Sequence, residues 1–76
     1  MNNLAKEIAQ NIIDKRTKIG LSSSDASIKA GFSRGYLGKV ERGGVRITVE
    51  KLYQLARILD CEVTDLLPVD RPDLLE

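Results

Sequence analysis

The chain has 76 residues and a mass of 8.4 kDa, enough for one small domain that buries only about 60–65% of its unfolded surface, so large cofactor-binding folds are excluded. Hydrophobic residues at 42% and charged residues at 30% fit an ordinary soluble globular domain, and twelve Lys and Arg against eleven Asp and Glu leave a net charge of only +1. With no His, no Trp and one Cys, Cys61, zinc sets built from Cys and His, His-dependent nucleophile pairs and an internal disulfide framework are all excluded.

In chain order, Leu4, Ile8, Ile12 and Ile19 recur at helical spacing with Ala5, Ala9 and Ile13 beside them, which predicts a first amphipathic helix ending near Gly20. Ser22 is placed to cap a second helix, with Asp25 completing a capping-box-like pair, and that helix runs to about Ala30. Gly31 falls where the chain must reverse. Ser33 is the expected cap of a third helix from about Arg34 to Arg42, which Gly43-Gly44 stops. Thr48 is the next N-cap candidate, with Glu50 near the positive end of the helix dipole. Val49, Leu52, Ala56 and Leu59, supplemented by Tyr53 and Leu55, form the stripe of a fourth helix ending near Asp60. A fifth short helix spans Val63 to Leu67, stopped by Pro68, and residues 69–76 are an acidic, loosely ordered tail. Five short helices and no convincing strand predict a compact all-α bundle over residues 1–68.

The run Leu21 to Gly43, LSSSDASIKAGFSRGYLGKVERG, resembles the helix-turn-helix of the lambda-repressor and Cro family, the Xre-like regulators. Gly31, Ser33, Tyr36, Leu37 and the block Val40-Glu41-Arg42-Gly43 carry the strongest matches. Arg16 extends the resemblance into the first helix, and LYQLARILDCEVTDLL, residues 52–67, extends it into the last two. In such a motif the second helix presents one face to the DNA major groove while the other locks into the core. Residues 32–42 divide in that way. Phe32, Leu37 and Val40 lie on one side, whereas Arg34, Gly35, Gly38, Lys39 and Arg42 fall largely on the other. Two glycines within a helix cost roughly 1 kcal/mol each relative to alanine; either Gly35 and Gly38 admit close approach to DNA, or they mark a weak helix.

Carried over by position, the resemblance makes Arg34, Gly35 and Lys39 base-facing: Arg34 can pair bidentately with guanine, Lys39 can reach a further acceptor, and Gly35 can only admit a base or a thymine methyl. Tyr36, Arg42, Arg46 and the hydroxyls of Ser22, Ser23 and Ser33 are placed to meet phosphates. The resemblance also pairs Glu41 with Arg16, tying the recognition helix to its support. The chain departs from the family pattern at Ser23, where many members carry Gln. It departs again at Ala26, Ser27 and Ile28, where Leu, Ala and a polar residue are common, leaving Ile28 a candidate for exposure. Cys61 reads as a buried, inert thiol.

Relatives bind as twofold dimers on palindromic operators, and Val63, Leu66, Leu67, Val69, Leu74 and Leu75 form a candidate dimer surface. The alternative is that Leu66 and Leu67 complete the core. Together these features imply a double-stranded DNA-binding regulator of transcription, most simply an autoregulatory repressor acting as a homodimer. The stretch ERGGVRIT fits controllers of restriction-modification genes equally well, and an antitoxin-type protein-interaction module is the alternative from another class. No cofactor, metal, membrane or small-molecule ligand is expected, and the scattered acids offer no enzyme chemistry. A reducing cytoplasm is the expected compartment, because the N-terminal residues lack the basic-then-apolar order of a secretory signal and no apolar run is of membrane-spanning length.

The +1 total averages over an uneven chain. Residues 29–46 hold Lys29, Arg34, Lys39, Arg42 and Arg46 against Glu41, a net +4, whereas residues 60–76 hold Asp60, Glu62, Asp65, Asp70, Asp73 and Glu76 against Arg71, a net −5. A segment able to neutralise phosphates is thus separated along the chain from one that would avoid them.

Overall fold

The computed structural model describes residues 3–68 as five helices in sequence, with no strand among the described residues: α1 (Leu4–Lys18), α2 (Ser23–Lys29), α3 (Tyr36–Glu41), α4 (Val49–Ile58) and α5 (Val63–Leu66). Short polar side chains start two of them as the sequence predicts. The Asp25 amide donates to Ser22 Oγ at 3.0 Å and the Lys51 amide to Thr48 Oγ1 at 3.2 Å, each satisfying an amide that a helix start leaves free. At α5 the reciprocal arrangement appears, the Glu62 amide donating to Asp65 Oδ2 at 2.9 Å.

The first four helices end alike. At α2 the amides of Gly31 and Phe32 reach back to the carbonyls of Ile28 and Ser27 at 3.0 and 2.8 Å, the double closure of a Schellman turn, which requires a left-handed residue after the helix. Gly31 supplies it at φ +89°, where any side chain would be strained. α4 closes identically, but with Asp60 at φ +56° in the left-handed position.

Ile8 and Ile12 of α1, Ala26 and Ala30 around α2, Leu37 and Val40 of α3, and Leu52, Leu55, Ala56 and Leu59 around α4 are buried together with Leu66. α3 packs against α1 and α2, while α5 packs against α1 and α4. Three details differ from the sequence reading. Ile19 lies beyond the end of α1 and is exposed. Val49 and Tyr53 are 63% and 64% exposed, because the buried stripe of α4 runs through Leu52, Leu55, Ala56 and Leu59 and leaves those two on its flank. α3 begins at Tyr36, two residues after the expected start. Ser33 is not its cap: Gly35 holds that position with no side-chain bond, and the Ser33 carbonyl, rather than its hydroxyl, accepts from the Tyr36 amide at 3.1 Å. Cys61 is half-buried against the core; burial, and secondarily the carboxylate of Asp65, pushes its thiol pKa up.

Candidate nucleic-acid interface

α3 is six residues long, contains Gly38 and starts from Gly35, so little of its stability is intrinsic. Burial of Leu37 and Val40 seats it on the core, and two polar contacts with other helices, one at each end, add to that packing. At the C-terminal end, Arg16 of α1 donates from Nε to Glu41 Oε2 at 2.7 Å and from Nη2 to Oε1 at 2.8 Å. Its Nη1 also donates to the Leu21 carbonyl at 3.2 Å. One guanidinium therefore holds α1, the α1–α2 turn and α3. The forked geometry is the strong form of a charge-assisted bond, and the side chains are only 18% and 10% exposed. The hydrogen bond to Glu41 raises the Arg16 pKa above its ordinary value despite the opposing effect of burial.

At the N-terminal end the contact comes from α2. The Ser27 hydroxyl donates to the Ser23 carbonyl at 2.8 Å and accepts from the Leu37 amide at 3.0 Å. Leu37 lies in the first turn of α3, where amides have no partner within the helix. In the sequence Ser27 stands out only as a departure from the family pattern. Its one local signal is a serine four residues after Ser23 on the buried face of α2.

With Leu37 and Val40 buried, the opposite side of α3 is free. Arg34 in the preceding turn, Gly35 at the cap, Lys39 and Arg42 on the helix, and Arg46 in the following loop are all exposed. The guanidinium of Arg42 folds back over Gly38: a Cβ added at Gly38 would lie 3.1 Å from Arg42 Nη1, whereas one at Gly35 would meet nothing within 4 Å. Nothing within the protein thus calls for glycine at position 35, while the bare backbone at 38 makes room for Arg42. Tyr36 is half-buried, its ring edge-on to Phe32 at 5.0 Å between centroids, and burial raises its phenol pKa. Lys51 Nζ lies 5.3 Å from the Tyr36 ring centroid, so the start of α4 adds a cation beside the start of α3. Lys6 joins Arg42 and Arg46 in lining an open groove between the start of α1 and the α3–α4 loop. Neither Lys51 nor Lys6 was singled out from the sequence, since each comes from a helix distant along the chain.

Of the residues expected to meet phosphates, Ser22 and Ser33 are exposed and Ser23 is half-buried, with the Ser22 hydroxyl also engaged in capping α2. The proposed dimer surface needs correction. Leu66 is fully buried and Val63 and Leu67 pack against the core, and the Asn11 side-chain amide donates to the Leu66 carbonyl at 3.2 Å, fastening α5 to α1. Leu66 completes the core and cannot face a second subunit. Val69, Leu74 and Leu75 lie outside the described residues.

Known proteins share this fold. The helix-turn-helix family model matches residues 12–66. An uncharacterised HTH-type transcriptional regulator from Sinorhizobium fredii is 34% identical over 68 residues, 88% of each chain. The restriction-modification controller protein C.AhdI from Aeromonas hydrophila superposes with a TM-score of 0.78 at 32% identity, over 83% of this chain and 91% of that one. The biofilm-formation master regulator SinR, in a structure that contains DNA, superposes with a TM-score of 0.72 at 32% identity, over 78% and 95%. With the family model matching residues 12–66 and a regulator 34% identical over 88% of each chain, the chain belongs to the helix-turn-helix family of DNA-binding transcriptional regulators.

Proposed function

We propose that the protein is a sequence-specific regulator that binds a palindromic operator in double-stranded DNA as a homodimer, repressing transcription by occupying a promoter and controlling its own gene. The observation that carries this reading is the free side of α3, where Arg34, Lys39, Arg42 and Arg46 are exposed while Leu37 and Val40 opposite them are buried. Arg34 and Lys39 take the base-reading role, with Gly35 admitting a base edge. Tyr36, Arg42 and Arg46, with Ser22, Ser23 and Ser33, fix register on the phosphates. A homodimer would set two recognition helices roughly 34 Å apart, one turn of the duplex between half-site centres. Its contact surface excludes Leu66, which is buried.

A second reading, control of restriction-modification genes by activation as well as repression, draws support from the likeness to the Aeromonas hydrophila controller. Both readings require operator binding. Titrating a selected operator duplex at increasing salt should give an affinity that falls steeply, with a log–log slope near −0.9 per phosphate contacted. Sedimentation of the same complex should show two chains per duplex. A complex with one chain per duplex would contradict the dimer, and salt-insensitive binding would contradict the phosphate contacts.

A further inference from the structure

Ser27 is the one buried polar residue among the described residues, at 0% exposure within an otherwise apolar core. Both capacities of its hydroxyl are used, and across two elements: it donates within α2 to the Ser23 carbonyl and accepts from the Leu37 amide of α3. α3 has no side-chain cap of its own, because Gly35 occupies the N-cap. A cap is normally supplied by the residue that begins the helix; here it is supplied by a different helix. The hydroxyl therefore does more than stabilise α3. By bonding a first-turn amide it fixes how far α3 is advanced along its axis relative to α2, at the end that carries Arg34 and Gly35. Arg16 and Glu41 hold the other end, so α3 has a side-chain tether at each end.

We propose that Ser27 is a positioning residue for sequence discrimination, holding the start of α3 so that Arg34 and Lys39 meet base edges in one register. This rests on the DNA-binding reading above. Phosphate contacts tolerate small shifts because every site offers the same charges, whereas bidentate base contacts do not. Loss of the Ser27 hydroxyl should therefore weaken operator binding while leaving binding to unrelated DNA nearly intact. A purely structural role would lower the melting temperature without altering that ratio among folded molecules.

The experiment compares the natural chain with Ser27→Ala and Ser27→Cys, the latter close in size and a weak hydrogen-bond partner. Affinity is measured for a selected operator duplex and for a scrambled duplex of equal length, at a temperature where circular dichroism shows the variants folded. Ser27→Ala should weaken operator binding roughly tenfold, the effect of one lost hydrogen bond, and scrambled-duplex binding less than about twofold; Ser27→Cys should fall between. Amide exchange at Leu37 should accelerate in the same order. If Ser27→Ala does not fold, the Cys variant decides by the same ratio. Equal weakening on both duplexes, or faster exchange at Leu37 with unchanged discrimination, would overturn the proposal. A natural chain that prefers no duplex would overturn the DNA reading itself, so the two failures are distinguishable.

Discussion

Glu41 is an acid on a helix otherwise surrounded by bases, and its partner explains it: both carboxylate oxygens accept from Arg16. Removing the carboxylate would leave a half-buried guanidinium holding only the Leu21 carbonyl. Glu41→Ala should therefore lower stability by about 1–3 kcal/mol, seen as a drop in melting temperature, together with operator affinity. An unchanged melting temperature with weakened binding would place Glu41 in contact with DNA instead. This pair was legible only through the family resemblance, because no periodicity joins residues 25 apart. Ser27 was not legible in this role, since its acceptor function depends on how α2 and α3 cross. Arginine is rarely buried unless paired, so exposure of Arg34 and Arg46 is expected from residue type alone; what the fold adds is that they bracket α3, one in the turn before it and one in the loop after it.

Caps show where local reading succeeds and where it stops. Ser22 and Thr48 act as predicted because an N-cap bond spans three residues and needs nothing from elsewhere. Ser33 has the same side chain but not the same role, since the Schellman closure of α2 and the turn through Arg34 and Gly35 delay the start of α3. Tertiary packing also set the phase of α4, moving Val49 and Tyr53 off the buried face that their spacing predicted. The left-handed Asp60 at the end of α4 is open to improvement. Asp60→Gly should relieve its strain and raise stability by about 0.5–1 kcal/mol, measurable by thermal denaturation. A loss of stability would mean that the Asp60 side chain contributes more than its backbone costs.

Across the whole molecule, charge is separated by the way the helices pack. The cations Arg34, Lys39, Arg42 and Arg46 lie on α3 and in the turns that precede and follow it, and α3 rests on α1 and α2. Asp60, Glu62 and Asp65 belong to the turn and helix of α5, which rests on α1 and α4. A near-neutral chain can therefore gather a basic surface around α3, where the acid Glu41 is held by Arg16, and such a surface can neutralise phosphates. The most direct test is selection of bound duplexes from a random DNA pool by the natural chain, Arg34→Ala and Arg46→Ala. The natural chain should enrich a palindrome with half-sites about one helical turn apart. Arg34→Ala should lose roughly 1–3 kcal/mol and relax one guanine position in each half, while Arg46→Ala should weaken all sequences alike. Enrichment of no sequence by the natural chain, or an unchanged motif with Arg34→Ala, would contradict base reading by the start of α3.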